Sequence, residues 1–330
     1  MMERVPVTRA AHVIEFCELF RKIGTPVEAR LRRNKLPEYL EENPDAFVNN
    51  ILATGFVGRT AEAEGIEDVG WLAVRDFSEG QLSAEINTAI ASEPTVFGRL
   101  KRLMQLSALE DSHLQMGMTA VGQTVCVKSD MDIPADTPGM SASNWAQLAV
   151  VLEVIRSVMG QEWTPSRITF RTKFAPCWDA KQAFGNTRIT TGAAHTAMYF
   201  PRETLLRRDR VDSRQQPVSG LLTLPHDELD WIKNLLRPYL TRKVPCVADA
   251  AEILGLSVRT LQRRLNSFDT SYRELTDRLR FEMAADRLAF CDAPIIEIAA
   301  VLGFDDQANF GRMFRRYAGV SPSAYRKHCA

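Results

Sequence analysis

The C-terminal quarter of the chain contains an internal repeat, and no other feature of the sequence constrains the fold as strongly. The stretch VADAAEILGLSVRTLQRRLN at 247–266 aligns with IIEIAAVLGFDDQANFGRMFRR at 295–316. The matching pairs are Ala251 and Ala299, Leu254 and Leu302, Gly255 and Gly303, and, after one inserted residue, Leu261 and Phe310, Arg263 and Arg312, and Leu265 and Phe314. The repeat predicts one supersecondary unit built twice.

Each copy has the pattern of a helix-turn-helix. A short amphipathic stretch ends at a glycine, which takes the left-handed conformation that costs other residues about 1 kcal/mol or more. Ser257 and Asp305 are then predicted to cap the second helix of each copy, because their side chains accept from free backbone N–H groups. Each second helix has an apolar stripe, which we expect to be buried.

The opposite face of each second helix carries side chains that can read DNA. Arginine donates two hydrogen bonds to guanine, glutamine and asparagine pair with adenine, and alanine contacts the thymine methyl group. The outward residues of the two copies are Arg259, Thr260, Gln262, Arg263, Gln307, Ala308, Asn309 and Arg312. For a single copy, a solvated polar surface is an equally good interpretation; the repetition favours DNA binding.

The segment between the copies predicts a long connecting helix. SYRELTDRLRFEMAADRLAF at 271–290 opens with Ser271 and Glu274, the spacing of a capping box. A helix of this length spans about 30 Å, close to the separation of about 34–36 Å between successive major-groove faces of B-DNA. Such a helix would hold both second helices against one face of a duplex.

Charge is distributed unevenly along a chain whose net charge is zero. Residues 231–330 hold 16 Lys and Arg against 11 Asp and Glu, which is a modest excess for a polyanion-binding domain. The six cysteines contain no CxxC pair, and neither a membrane-spanning stretch nor a secretory signal is evident, so we expect a cytoplasmic protein.

Motifs of catalysis and of metal binding are missing from the sequence. The five histidines have no metal-ligand spacing, and we find no nucleophile elbow, P-loop or GxGxxG stretch. We therefore expect no metal site, no cofactor and no catalytic residue.

Three regions follow from the patterning. Residues 1–206 mix amphipathic helices with alternating strand-like stretches, among them the hairpin pattern HLQMGMTAVGQTVCVKSD, and predict an α+β domain. Residues 207–230 are rich in charge, Pro, Gly and Ser and predict a linker. Residues 231–330 show helical runs without a convincing strand, and predict an all-α domain in which a long helix joins two helix-turn-helix motifs.

The region from 231 to 328 resembles the AraC/XylS family of bacterial transcription regulators, most specifically in IIEIAAVLGFDDQANFGRMFRRYAGVSPSAYR. The resemblance implies sequence-specific binding to promoter DNA. Base readers would be Arg259, Gln262 and Arg263 in the first copy and Gln307, Ala308, Asn309 and Arg312 in the second. Arg315, Arg316 and Arg326 would contact phosphates. Ala308 and Asn309 replace bulkier residues of many members, so the second copy is expected to read sequence less stringently.

The N-terminal region resembles, more weakly, the arabinose-binding-like domain of a subgroup of this family, in LSAEINTAIASEPTVFGRLKRLMQLSAL and EWTPSRITFRTKFAPCWDAKQAFGNTRI. This resemblance implies a domain for small-molecule sensing and self-association; the label does not imply arabinose. Candidate effector-binding residues are Trp145, Phe170, Arg171, Phe174, Trp178 and Tyr199; for any single aromatic among them, a place in the core is the stronger interpretation.

Together these features predict a DNA-binding transcription regulator that is not an enzyme. We expect an activator that forms a homodimer, responds to a small-molecule effector, contacts RNA polymerase and has no membrane partner. The alternative is an enzyme, of a DNA-repair or amidotransferase-like kind, fused to the same DNA-binding module.

Overall fold

The structure, a computed structural model, describes residues 5–75, 82–209, 227–241 and 244–329. Two compact units are present. The first unit contains the described residues up to 34 and from 38 to 209. The second unit contains residues 35–37 and the described residues from 227 onwards. Most of the predicted linker falls in 210–226, outside the described residues.

The first unit combines helices and strands. Its helices are α1 (Ala10–Lys22), α2 (Val27–Arg33), α3 (Asn50–Ala63), α4 (Val69–Val74), α5 (Ala84–Ala91), α6 (Val96–Glu110), α7 (Met140–Met159) and α8 (Trp178–Ala183). Its strands are β1 (Val7–Arg9), β2 (Phe47–Asn49), β3 (Leu114–Val121), β4 (Thr124–Met131), β5 (Arg167–Thr169), β6 (Arg188–Thr190) and β7 (Ala197–Pro201).

Five of these strands form one sheet in the order β3-β4-β7-β5-β6. All neighbours are antiparallel except β5 and β6. The predicted hairpin is present: β3 and β4 pair from Leu114 opposite Met131 to Val121 opposite Thr124, and Gly122 between them has a φ of 60°. Val125 and Val127 of β4 lie in the core, and Cys126 between them is also buried, so both faces of this strand are covered at that point.

Helix α7 is the central helix of the first unit. Most of its residues are apolar, and Trp145, Leu148, Val151 and Ile155 are almost completely buried. Its N-terminus packs closely on α3, because a Cβ atom added to Gly139 would lie 2.2 Å from the carbonyl oxygen of Thr54. Gly139 also has a φ of 84°, so close approach and backbone conformation both require glycine there.

Helices joined by turns make up the described residues of the second unit, which contain no strand. Its helices are α9 (Glu228–Leu236), α10 (Val247–Ile253), α11 (Val258–Asn266), α12 (Tyr272–Phe290), α13 (Ile295–Val301), α14 (Gln307–Ala318) and α15 (Pro322–Cys329). The prediction of an α+β region followed by a helical region is confirmed. Helix α12 has the predicted capping box, with Glu274 N donating to Ser271 Oγ at 3.2 Å and Ser271 N donating to Glu274 Oε2 at 2.9 Å.

Candidate nucleic-acid interface and effector cavities

The two glycine turns have the same backbone geometry. Gly255 and Gly303 have φ values of 62° and 69°, and each lies one residue after the C-cap of the preceding helix. The bonds that close the turns are Leu256 N to Ala251 O (2.8 Å), Gly255 N to Glu252 O (2.9 Å), Phe304 N to Ala299 O (3.0 Å) and Gly303 N to Ala300 O (3.0 Å). This is a Schellman motif in both copies.

The N-caps after the turns differ by one residue. Ser257 Oγ accepts from Thr260 N at 3.1 Å and caps α11. In the second copy the cap is Asp306, which accepts from Asn309 N at 2.6 Å, so the prediction of Asp305 was wrong. The residue inserted in the second copy lengthens the turn before α14 and moves the cap on by one position. Arg263 and Arg312 consequently lie at the same place, six residues after their caps.

The apolar stripes of α11 and α14 are buried as predicted. Leu261 and Leu265 are at most 1% exposed, and Phe310 and Phe314 are fully buried. The Phe304 ring at the turn meets Phe310 edge-on, with ring centroids 5.4 Å apart. This packing fixes which face of each helix is left to solvent.

The predicted DNA-contacting residues lie on those solvent-facing sides. Arg259, Gln262 and Arg263 on α11 are exposed, and Thr260 is half-buried with its hydroxyl 2.8 Å from Ser257 Oγ. The exposed residues of α14 are Gln307, Ala308, Asn309, Arg312, Arg315 and Arg316. Five of the six arginines of the two helices form no ion pair within 4.0 Å with any described residue, which leaves their charge available for phosphates or bases: Arg259, Arg263, Arg312, Arg315 and Arg316.

Two further arginines of the second unit are used internally. Arg264 pairs with Glu228 at 3.0 Å and joins α11 to α9. Arg326, expected to contact phosphate, is half-buried and donates to the carbonyl oxygen of Ala293 at 2.6 Å. Its guanidinium therefore holds α15 to the segment before α13, and the expected phosphate contact is not supported.

Arg280 is a positioning residue that the sequence analysis missed. It lies on α12 and is 9% exposed, and it donates to Leu302 O at 2.8 Å and to Gly303 O at 2.9 Å. Its guanidinium lies 3.4 Å from the centroid of the Phe304 ring. Arg280 thus holds the second turn. It lies four residues from both Thr276 and Ala284, on the buried stripe of α12, but this spacing does not mark the carbonyl groups that it bonds.

The six predicted effector residues do not converge on one pocket. Trp145 and Phe170 belong to the core of the first unit, and Trp178 is 71% exposed. Arg171 donates to the carbonyl oxygens of Met131 and Ile133. Phe174 and Tyr199 are half-buried, and Tyr199 stacks under the guanidinium of Arg167 at 3.7 Å. The sequence had no signal for which aromatic side chains surround a void.

One cavity, here called the Glu110 cavity, has a volume of about 100 Å³ and is lined by residues of α1, α3, α6, α7, β3 and β4. Glu110 accepts from Arg9 Nη1 at 2.9 Å and from Ser83 N at 2.9 Å, and lies 3.1 Å from His12 Nε2. Burial opposes its ionisation, but His12 and then Ser83 and Arg9 outweigh burial and lower the pKa of Glu110 to about 2.

Asp111 lines the same cavity and is hydrogen bonded to His113 N at 3.1 Å and to Asn50 Nδ2 at 2.5 Å. Burial raises the pKa of Asp111 to about 6, although the bond from the His113 N–H opposes the shift. Both carboxyl groups already have partners within the protein. Among the described residues that line it, the Glu110 cavity thus offers an anionic ligand no unpaired cation.

A second cavity, here called the Arg156 cavity, has a volume of about 190 Å³. Trp145 is the one predicted effector residue that lines either of these two cavities. No group of three His, Cys, Asp or Glu among the described residues could hold a metal ion. No helix in the described part of the chain could cross a membrane.

Two family models match the chain. Residues 24–208 match the model of the N-terminal arabinose-binding domain of AraC transcription regulators. Residues 250–328 match the model of a helix-turn-helix domain. The first of these covers more than half of the chain.

Curated relatives are transcription regulators. The chain is 25% identical over 347 residues to the HTH-type transcriptional regulator VirS of Mycobacterium tuberculosis, covering 99% of this chain and 98% of VirS. It is 41% identical over 83 residues to the ornithine utilization regulator of Pseudomonas aeruginosa, covering 25% of this chain and 24% of that protein. The chain therefore spans about a quarter of the length of the ornithine utilization regulator. These relatives agree with the expectation that the chain is not an enzyme.

Two solved structures of transcription regulators align with this chain. The crystal structure of transcriptional regulator CdpR from Pseudomonas aeruginosa aligns with a TM-score of 0.36 and 19% identity, covering 92% of this chain and 96% of that one. The DNA-binding domain of AdpA, in complex with a target DNA, aligns with a TM-score of 0.28 and 27% identity, covering 31% of this chain and 92% of that one.

Proposed function

This chain belongs to the AraC family of transcription regulators, and we propose that it reads a bipartite promoter site under the control of a small-molecule effector. The observation that carries the proposal is the repeated geometry of α11 and α14. Each helix follows a glycine turn, begins at a capped N-terminus and exposes, six residues past the cap, an arginine that forms no ion pair with a described residue. In such a bipartite site, each helix would occupy one of two successive stretches of the major groove.

We assign direct base contacts to the exposed side chains near the start of each helix. On α11, Arg259 and Arg263 suit guanine and Gln262 suits adenine. On α14, Gly311 stands where α11 has Gln262, and Ala308 stands where α11 has Arg259. The second helix therefore has fewer long base-reading side chains, and we expect it to contribute less discrimination. Arg315 and Arg316 would contact the phosphates.

The first unit supplies the proposed control. The family model that matches residues 24–208 is that of the arabinose-binding domain, and this unit contains two cavities of a size for small ligands. We propose that a ligand bound there changes the affinity for DNA, that the protein acts in the cytoplasm as a homodimer, and that it activates transcription by contacting RNA polymerase. We propose domain limits of 1–206 and 231–330, with residues 207–230 as the linker.

A gel-shift titration with Arg263→Ala tests base readout. We expect specific binding to weaken by about 1–3 kcal/mol, while binding to random DNA of equal length stays nearly unchanged. Arg273→Ala is the matched control, because Arg273 is an exposed arginine of the same unit that belongs to neither recognition helix. An equal loss on specific and random DNA would show that Arg263 contacts only the phosphates.

A further inference from the structure

The Arg156 cavity in the first unit is large enough for an organic ligand with a ring. It is lined by residues of α4, α7 and α8 and has a volume of about 190 Å³. An apolar cavity of about 150 Å³ binds benzene. The Arg156 cavity therefore has room for a flat ring and a few further atoms.

Aromatic side chains form one wall of this cavity. Trp71 lies 5.4 Å from Trp145 and 5.7 Å from Phe184, measured between ring centroids, and Trp145 stacks on Phe184 with an interplanar angle of 15°. Trp145 is fixed because its Nε1 donates to Asp68 Oδ1 at 2.9 Å. The wall is thus preformed and suits a flat apolar group.

The charged groups of the cavity include an arginine, Arg156, whose guanidinium forms no close ion pair with a described residue. Arg156 is half-buried and donates through Nε to Trp163 O at 3.0 Å, and the charges that act on it, Glu153 and Glu162, form no ion pair with it within 4.0 Å among the described residues. Burial lowers the pKa of Arg156, a shift that Glu153 and Glu162 oppose. A half-buried guanidinium with open Nη groups favours a planar anion that can accept two hydrogen bonds.

Neighbouring groups agree with a single negative charge on the ligand. Arg75 also lines the cavity and has Asp179 at 3.8 Å, while Glu153 contributes one negative charge to the lining. Trp71 Nε1 is buried and finds no acceptor in the described part of the chain. Asp179 neutralises the charge of Arg75, and Glu153 adds a negative charge to the lining. The cavity therefore suits a monoanion better than a phosphate dianion.

We propose that the Arg156 cavity binds a small monocarboxylate with a flat apolar body, its carboxylate on the Arg156 guanidinium and its body against Trp71 and Trp145. This ligand class rests on the proposed function, because the ligand would be the effector. The Glu110 cavity takes no part, since its carboxylates repel an anion and its cations are already paired.

Calorimetric titration of the full chain with phenylacetate, and with the uncharged phenylacetamide of the same shape, tests the site. We expect phenylacetate to bind at least about tenfold more tightly, as for hydrogen bonds to charged groups. Arg156→Met should lower phenylacetate affinity about tenfold and remove the preference over the amide. Equal binding of the two compounds to the wild-type protein would overturn the proposal.

Two variants separate loss of the site from loss of the fold. Arg156→Lys keeps the positive charge and should keep the preference for phenylacetate. Arg102→Met is the matched control, because Arg102 is a half-buried helical arginine that lines neither cavity; its affinity should equal that of the wild-type protein. If Arg156→Met binds phenylacetate as tightly as this control, the assignment of Arg156 is refuted.

Gel shifts with and without saturating phenylacetate then test the proposed function separately. A change in the affinity for promoter DNA that Arg156→Met abolishes supports both the site and its role as effector site. Tight, Arg156-dependent binding of phenylacetate with unchanged DNA affinity supports the site and refutes effector control through it. DNA binding with no phenylacetate binding refutes the site and leaves the DNA-binding function standing.

Discussion

Removing the Arg280 guanidinium should loosen the second helix-turn-helix without touching any residue proposed to contact DNA. Arg280→Met keeps most of the apolar stem that packs in α12 but deletes the donors to Leu302 O and Gly303 O. Both carbonyl groups lie at the turn before α14, and Leu302 is fully buried. The variant would therefore leave the turn without its anchor.

The expected cost follows from these contacts. Two hydrogen bonds from a charged donor contribute about 1.5 kcal/mol each, and the contact with the Phe304 ring contributes about 1 kcal/mol. Burying the Arg280 cation costs the wild-type protein solvation energy on folding, and the Met variant avoids this cost. The saving offsets part of the loss, so we expect a net destabilisation of about 3 kcal/mol. For a unit of this size the melting midpoint should fall by roughly 15 °C.

Thermal and urea denaturation of the purified full chain measure this effect. Arg278→Met is the control, because Arg278 is an exposed arginine on the same helix; its midpoint should match the wild-type value. A midpoint for Arg280→Met within about 2 °C of that control would refute the anchoring role.

Three further outcomes follow from backbone geometry and burial. Gly303→Val should lower both stability and specific DNA affinity, because a φ of 69° is strained for a branched residue; unchanged melting and gel-shift curves would contradict the turn. Gly311→Ala should raise stability by about 1 kcal/mol in urea denaturation, since an added Cβ meets no atom within 4 Å; a loss of stability would contradict the helix assignment. Burial raises the pKa of Glu15 from 4.5 to about 7, so folding takes up a proton in this window and wild-type stability falls as pH rises through it. Glu15→Gln should abolish that fall and be about 3 kcal/mol more stable than wild type at pH 8 but not at pH 4; parallel stability curves would contradict the shift.

The helix-turn-helix units were predictable because local chemistry specifies them. Each unit has a short amphipathic stretch that ends at a glycine, followed by a capping residue and an apolar stripe. This order of residues specifies the same turn in both copies. The cap of α14 was misplaced at Asp305 because Asp305 and Asp306 are chemically equivalent in the sequence. Only the backbone of the turn decides which carboxylate meets the N–H of Asn309.

The cavities and Arg280 were not predictable, because they depend on contacts between residues far apart in the chain. Arg280 bonds to carbonyl groups more than 20 residues away, and no local pattern marks those acceptors. Trp178 was expected to line a pocket but faces solvent, while Trp71 lines one. Aromatic composition gives the same expectation for both residues, and only packing distinguishes them.

Selection of binding sites from a random DNA library tests the paired reading of DNA most directly. The wild-type protein should select two conserved blocks whose centres lie about 10 base pairs apart, one turn of the duplex. Arg263→Ala should erase preference in one block only, and Arg312→Ala in the other block only. A single conserved block, or loss of the same block in both variants, would contradict two separate recognition helices.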